Sequence, residues 1–377
     1  MKTKKFALGL LLAAGVLGFT SCNKNDVVTP QEEQSILPTQ FGVDIPDAIS
    51  YSKTSLKSDD ESMNGRKIYE PLGYFIKIGE GAAQIVEGII THIAYYNIDK
   101  PMNMVYVSDE DGRDKRLVVT ENAEYNGKTW QYQLTITDIE NEGQADGGKA
   151  LQLFWNKKPI EGIALLSPSN CNVNDTSAWH TAKFRIDYSE TNANGYSNEM
   201  TVYIADLPLA NPLQDPFSCN AIKLWAGKDG NYIDVRGNSN HPNARFFDAE
   251  KQQGFNWAFV ASSNETENIA CVEVALPPSN LQKQNRAEIL EEYSIRNVFE
   301  REIFRIWPEL ETTTDSTSLA LLDSYFTDAE APGYFNQAGF IQGETVPSAA
   351  YETVTERIQA LAPFEPNSVS VQQINFK

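Results

Sequence analysis

The chain has 377 residues and a formal net charge of −20, with 51 acidic and 31 basic side chains. A negative field of this size repels nucleic acids and anionic lipid headgroups, so we do not expect a nucleic-acid-binding protein. The hydrophobic content of 41% is sufficient for a buried core, and the length allows one large domain or two ordinary ones.

The first 21 residues have the layout of a cleaved secretory signal. Three lysines among the first five residues precede an apolar stretch over 6–19, and Cys22 follows two small polar residues. The apolar stretch is too short to span a bilayer as a helix. The segment 18–22, Gly-Phe-Thr-Ser-Cys, resembles a lipobox in the relaxed form of Bacteroidota lipoproteins. This resemblance implies that Cys22 carries a lipid and begins the mature protein, and an ordinary secretory signal is the alternative.

Residues 22–67 are predicted to be the lipid anchor and a flexible tether, because the segment after Cys22 is polar and lacks a periodic apolar face. Loss of the signal removes three lysines and changes the net charge from −20 to −23. We expect the protein to be lipid-anchored in the outer membrane. In the lipoproteins that it resembles, charged residues behind the lipidated cysteine can direct a protein to the outer face. Lys24 and Asp26 favour that face over the periplasmic one.

A long amphipathic helix is predicted from Pro71 to Asn97, where apolar residues recur at helical spacing. Three glycines, Gly79, Gly81 and Gly88, each weaken a helix by about 1 kcal/mol relative to alanine. Beyond Pro101 the pattern changes to about eleven short strands with turn signals between them. An example is Asn126-Gly127, a pair typical of a tight hairpin turn.

The fold class predicted is therefore α+β, with an antiparallel β-rich sandwich or partly open barrel behind the N-terminal helix. After residue 277 the pattern becomes helical. Ser279 and Gln282 resemble a capping box that opens a helix ending at Pro308. Shorter helices are predicted at 318–327 and 348–361, and the segment 367–377 is predicted to be a final strand.

Two domain-sized regions follow from these patterns. Residues 68–280 form the predicted helix plus antiparallel β domain, and 281–377 form a helical appendage with the final strand. The appendage is not an independent domain if the final strand returns to the main sheet.

Three cysteines follow Cys22 in a chain that is exported, where disulfides can form. Cys171 and Cys219 lie in loop-like segments, whereas Cys271 lies in an apolar strand pattern. We predict a Cys171–Cys219 disulfide with Cys271 buried, and three reduced thiols are the alternative. Asp315-Ser316-Thr317 resembles the short acceptor for O-glycosylation in exported Bacteroidota proteins, so Ser316 is a candidate for modification, with a plain solvated loop as the alternative.

Motifs of catalysis are missing from the sequence, which has no paired histidine spacing, phosphate loop or nucleophile elbow. His92 and His241 are more simply interpreted as a packed core residue and a loop residue. The acidic run Asp109–Asp114 lacks the spacing of a calcium loop and is better interpreted as a hairpin turn. We therefore expect no enzyme, no cofactor and no metal site.

Exported glycan-binding proteins present aromatic side chains to sugars, and five tryptophans lie in the β region. Strand alternation predicts that most are core residues, whereas Trp179 at the start of a strand is expected to be exposed. The leading hypothesis is a non-enzymatic envelope module that binds a glycan or an apolar ligand. The alternative is a structural or assembly subunit that docks on another outer-membrane protein.

Overall fold

The computed structural model describes residues 36–50, 63–94, 98, 100–177, 179–211, 217–247, 254–282, 285–370 and 374–377, with only the backbone at His92 and Ser370. The signal peptide, Cys22 and most of the predicted tether lie outside the described residues. The prediction of a tether is wrong for 36–50, where Phe41, Val43 and Ile49 are at most 3% exposed because apolar side chains in this segment pack into the core. The chain divides into two compact units. Unit 1 takes its described residues from Met1–Val43, Glu80–Pro208 and Gln373–Lys377, and unit 2 from Asp44–Gly79 and Leu209–Gln372.

The helices of the described part are α1 (Asp47–Ser50), α2 (Arg66–Tyr69), α3 (Leu72–Ala94), α4 (Pro168–Cys171), α5 (Ile295–Ile306), α6 (Ser316–Phe326), α7 (Glu352–Ile358) and α8 (Pro366–Ser370). The strands are β1 (Met102–Val107), β2 (Asp114–Tyr125), β3 (Lys128–Asp138), β4 (Lys149–Lys157), β5 (Ile160–Leu166), β6 (Lys183–Ser189), β7 (Asn198–Ala205), β8 (Ala221–Asp229), β9 (Tyr232–His241), β10 (Phe255–Asn264), β11 (Ile269–Ala275), β12 (Gly333–Asn336) and β13 (Gly339–Gly343).

The strands form one open antiparallel sheet whose order follows the chain from β1 to β13. The α+β class is confirmed, and β1 to β11 correspond to the eleven predicted strands. Asn126 and Gly127 have φ angles of 50° and 72°, as the predicted tight turn between β2 and β3 requires. The sequence patterns do not predict β12 and β13, because these strands are short and rich in glycine.

In unit 1, helix α3 covers one face of the sheet. Its buried side chains Ala83, Val86, Ile89, Ile90 and Ile93 are at most 6% exposed and recur at helical spacing. The predicted long helix is therefore confirmed over Leu72–Ala94. The facing row of the sheet runs across neighbouring strands through fully buried Leu134, Leu153, Ala164, Ile186 and Val202.

Residues 374–377 lie on the opposite face of the unit 1 sheet. Ile374 and Phe376 pack there against a buried apolar cluster that includes Phe154 and Leu165. The predicted final strand is wrong for the described residues. Pro366 opens the short helix α8, as proline at a first helical position can, and 374–377 belong to no strand. Their main-chain hydrogen bonds go to side chains of the sheet instead.

In unit 2, the first two turns of α3 lie against β8 to β10. An added Cβ at Gly79 would lie 2.5 Å from Leu224 Cδ2, so glycine permits the close approach of the helix to β8. Phe75 packs on Trp257 with a ring-centroid distance of 6.1 Å. The close packing against Leu224 explains why Gly79, one of the three glycines of the predicted helix, has no side chain.

A second apolar cluster in unit 2 joins β10 and β11 to helical segments that follow residue 281. Val260 and Cys271 of the sheet pack with Leu290, Val354 and Ile358, all at most 1% exposed. Arg357 of α7 also binds Asp234 of β9 through two hydrogen bonds of 3.0 and 2.7 Å. Helix α7 is thereby fixed to the sheet by both apolar and ionic contacts.

The predicted helix from Ser279 to Pro308 is wrong in its start and its continuity. A single π-turn occupies Ala287–Glu291, and α5 begins only at Ile295, with Ser294 Oγ accepting a hydrogen bond from the N–H of Asn297. Ser294 has extended backbone angles and forms a bridge with Ala275 of β11, so the helix cannot run through it. The predicted helices at 318–327 and 348–361 correspond to α6 and, in part, to α7.

The division into units falls inside α3 and between β7 and β8, whereas the sequence patterns predict one boundary near residue 280. The described segments over 281–370 lie in unit 2 together with β8 to β11. Contacts such as those of Leu290 and Val354 with the sheet place them in the same core as these strands.

Candidate functional site

A buried lysine at one end of the unit 1 sheet holds two carboxylates. Lys115 is 1% exposed, and its Nζ donates hydrogen bonds of 2.9 Å to Asp111, Asp138 and the backbone oxygen of Asn170. These bonds use all three donors of the ammonium group. Arg113 adds a contact of 3.1 Å to Asp138. The network fixes α4, which follows β5, to β2 and β3. The ammonium group of Lys115 has no further donor for a ligand.

The acidic run Asp109–Asp114 forms the turn between β1 and β2, which confirms the hairpin interpretation. Gly112 has a φ of 71°, and the Asp111 carboxylate accepts hydrogen bonds from Lys115 Nζ and from the backbone N–H groups of Arg113 and Val173. Burial raises the pKa of Asp111, but these hydrogen bonds outweigh burial and lower its pKa overall. The carboxylate is therefore committed to protein donors.

A small cavity lies beneath α3 in unit 1. The volume open to the centre of a water molecule is about 10 Å³, enough for about one water. A pocket for a drug-sized ligand has roughly 300 Å³ or more. The cavity beneath α3 is lined by Ile89, Lys115, Ile136, Ala150, Leu151 and Cys171. This part of the interior has no room for an apolar cargo.

Unit 2 contains a buried pair that has the hydrogen-bond geometry of a nucleophile and its base. Ser239 Oγ lies 2.7 Å from His241 Nε2, and His241 Nδ1 lies 2.6 Å from the carbonyl oxygen of Phe217. A carbonyl can only accept, so Nδ1 carries the proton and Ser239 donates to Nε2. Phe75 and Trp257 pack on the imidazole ring.

The pair of Ser239 and His241 has a structural role in the core of unit 2. Ser239 and His241 are both 0% exposed. Burial lowers the pKa of His241 to about 3, so the ring is neutral at physiological pH and is a poor proton acceptor. A catalytic base works best with a pKa near the pH of the reaction. His241 is a satisfied core residue in β9 and not the loop residue that the sequence predicts, while the side chain of His92 lies outside the described residues.

Trp179 is the sequence-predicted binding residue, and it lies at a turn before β6. It is half-buried and stacks on Phe184 with a centroid distance of 6.5 Å. The neighbouring His180 has a buried Nδ1 that makes no hydrogen bond within the described part of the chain. The two side chains form a small aromatic and polar surface in unit 1.

The other four tryptophans of the β region are core residues, as strand alternation predicts. They are at most 7% exposed: Trp130, Trp155, Trp225 and Trp257. Two of them also anchor segments outside the sheet, because Trp155 Nε1 donates to the backbone oxygen of Ile36 and Trp257 Nε1 to that of Ile68.

The predicted Cys171–Cys219 disulfide is not present in the structure. Cys171 is a buried free thiol whose Sγ lies 3.8 Å from the carbonyl oxygen of Ala150, in the interior of unit 1. Burial raises the pKa of Cys171 and of buried Cys271 to about 12 each, so both thiols are protonated. Such thiols are poor nucleophiles. Cys219 is partly exposed.

Ser316, the candidate for O-glycosylation, is exposed at the first turn of α6. The preceding Asp315 caps this helix by accepting hydrogen bonds from the N–H and Oγ of Ser318. The helix therefore begins inside the segment that the sequence predicts to be a polar linker. Modification of Ser316 stays a prediction.

Strand β1 lies at an edge of the sheet in unit 1. Among the described residues β1 pairs only with β2, from Met102↔Val119 to Val107↔Asp114. Val105 and Val107 are 54% and 42% exposed. None of the six residues of β1 is charged or proline, and no bulge interrupts its pairing. Proteins normally protect an edge strand with a charged residue, a proline or a bulge.

Sequence reasoning missed the edge, because the pattern of a single strand does not contain the strand order. The run Met-Asn-Met-Val-Tyr-Val reads simply as a strand, and only its first place in the sheet order makes it an edge. The buried network of Lys115 had no sequence signal, because a lysine between Asp and Arg reads as a solvated residue.

No protein-family model, curated protein or solved structure matches this chain. Within the described ranges, no helix is both long and apolar enough to cross a membrane. The described side chains also include no group of three or more His, Cys, Asp or Glu arranged to hold a metal ion.

Replacing Lys115 by methionine should destabilise the protein by about 3–5 kcal/mol, because it leaves two buried carboxylates with less compensation. Urea unfolding measures the change. Lys128→Met is the control, since Lys128 and its partner Glu161 are 41% and 31% exposed and such pairs contribute about 1 kcal/mol or less. Equal losses in the two variants would show that the buried network is not special.

Acid should destabilise the protein through His241. The folded pKa of about 3 lies below the ordinary value of 6.5, so the unfolded chain binds the extra proton first. Stability is therefore complete above pH 6.5 and decreases as the pH falls towards 3, by about 1.4 kcal/mol per pH unit. Urea midpoints of the native protein and of His241→Gln should converge or cross as the pH falls. Parallel pH curves would contradict this assignment.

Proposed function

We propose that this chain is a lipid-anchored, non-enzymatic docking protein of the cell envelope, which binds an extended segment of another outer-membrane protein along the edge of β1. The observation that carries the proposal is the edge of β1, which pairs with no described strand besides β2 and carries the exposed side chains of Val105 and Val107. An antiparallel sandwich and a partly open barrel, the two predicted architectures, each leave edge strands of this kind.

The chemistry of such docking is strand addition. In an antiparallel ladder, alternate residues of β1 direct their N–H and C=O groups away from β2. A segment of about six residues can pair with these groups, and the main-chain hydrogen bonds supply affinity that does not depend on sequence. Val105 and Val107 lie on one face of the strand, where they offer apolar contacts to alternate side chains of the added segment. Charged residues lie next to β1 at Lys100 and Asp109 but not within it.

The anchor fits this role. The lipid expected on Cys22, and a tether limited to the residues before 36, would hold the folded units near the membrane while they reach a partner. The alternative with an apolar cargo has weaker support, because the cavity beneath α3 has space for about one water.

A glycan is the second candidate ligand, and it depends on the surface formed by Trp179 and His180. A half-exposed indole can stack on a sugar ring, and the partly exposed imidazole of His180 lies next to it in the chain. This surface is in unit 1 and is separate in sequence from β1, so the two candidates can be tested independently.

Docking at β1 is tested by cross-linking in the native envelope. A photoreactive amino acid at position 105 or 107 should give one discrete adduct, and the same amino acid at Leu321, which is 43% exposed in unit 2, should not. Introducing Val105→Lys together with the probe at 107 should remove most of the adduct without lowering the melting temperature. Adducts of equal yield at all three positions would contradict the proposal.

Glycan binding is tested on an array of envelope and host glycans. Trp179→Ala should lower the signal of any bound glycan about tenfold or more, whereas Trp307→Ala, at a second half-buried tryptophan in unit 2, should leave it unchanged. A native protein that binds no glycan on the array would remove this candidate.

A further inference from the structure

Residues 374–377 lie in a groove on the face of the unit 1 sheet opposite α3, called here the outer groove. Its floor consists of apolar side chains that are at most 7% exposed: Ala123, Trp130, Phe154, Ile163 and Leu165. Ile374 and Phe376 pack on this floor, and the alternation of the two apolar residues with Asn375 and Lys377 is that of an extended peptide with one face buried.

Side chains of the sheet bind the main chain of this segment. Tyr125, stacked on Phe154 with a centroid distance of 4.2 Å, donates its hydroxyl to the carbonyl oxygen of Asn375 at 2.9 Å. The Gln152 amide accepts from the N–H of Lys377 at 2.6 Å and donates to its carbonyl oxygen at 3.3 Å. Gln152 is 1% exposed. Its amide forms the two main-chain hydrogen bonds that a neighbouring strand would form with an extended segment.

The contacts have the form of peptide recognition. Main-chain hydrogen bonds set the register, and the apolar floor selects side chains at two alternate positions. Lys183 also lies 5.8 Å from the centre of the Phe376 ring. Four residues held by three hydrogen bonds and two apolar side chains form a small interface, so the segment can leave the groove far more easily than a strand can leave the sheet.

We propose that the outer groove exchanges its own segment for residues 374–377 of a second copy, which links two chains by reciprocal occupation. The groove is complementary to this sequence, and a second copy presents the identical sequence. The contacts are the same within one chain and between two, so the exchange loses no interaction and is governed by concentration. The net charge of −20 opposes association, so the exchange is favoured by high ionic strength.

The test uses full-length variants. An acceptor carries Ile374→Asp and Phe376→Asp, which removes the segment from its groove, and a donor carries Ile163→Glu, which blocks the groove and keeps the segment. At high ionic strength the mixture should sediment as a one-to-one pair, while each variant alone stays monomeric. Folding is checked by circular dichroism, and Phe376→Ala replaces the acceptor if the double change unfolds it.

A labelled peptide of residues 371–377 provides the second readout. The acceptor should bind it saturably, and adding Gln152→Ala should weaken binding about tenfold through loss of two hydrogen bonds. The native chain should bind it much less, because its groove is occupied. A folded acceptor that binds no peptide overturns the peptide site. An acceptor that binds the peptide but never pairs with the donor overturns the exchange between copies.

Discussion

The sheet of this protein has apolar side chains on both faces, and the structure of each unit depends on covering both. Most half-buried antiparallel strands alternate between a dry and a wet face. Here six consecutive residues of β4 and six of the seven residues of β5 are buried. In unit 1, helix α3 covers one face, and Ile374 and Phe376 cover an apolar cluster on the other. In unit 2, the start of α3 and helix α7 have the corresponding positions.

When the faces of the sheet are covered, its edges remain for binding a partner. We place the proposed function at the edge of β1. Two buried polar groups are satisfied by local partners: Lys115 by two carboxylates, and His241 by Ser239 and a backbone carbonyl. Groups that are paired and buried in this way stabilise the fold and offer little chemistry. The main-chain groups along β1 differ, because in the described part of the chain they face away from any second strand.

Much of the fold could be predicted from the sequence. The spacing of Val86, Ile89, Ile90 and Ile93 predicted α3, and Asn126-Gly127 predicted the turn after β2. The errors occurred where long-range contacts override local patterns. Ser294 forms a bridge with Ala275 and so interrupts a helix whose apolar periodicity is otherwise continuous. Ile374 and Phe376 alternate as in a strand, but they pack in the outer groove and do not pair with a strand. For the site, sequence placed Trp179 at the surface, but an open edge depends on strand order, which a single strand pattern does not contain.

Hydrogen–deuterium exchange of the β1 peptide, compared between the purified protein and the native membrane, tests docking at this edge most directly. We expect rapid uptake over 102–107 in the purified protein, because alternate amides of β1 face the open edge, and strong protection in the membrane, where a partner strand would cover them. The peptides of β4 should be protected in both samples. Equal uptake over 102–107 in the two samples would contradict the proposed docking.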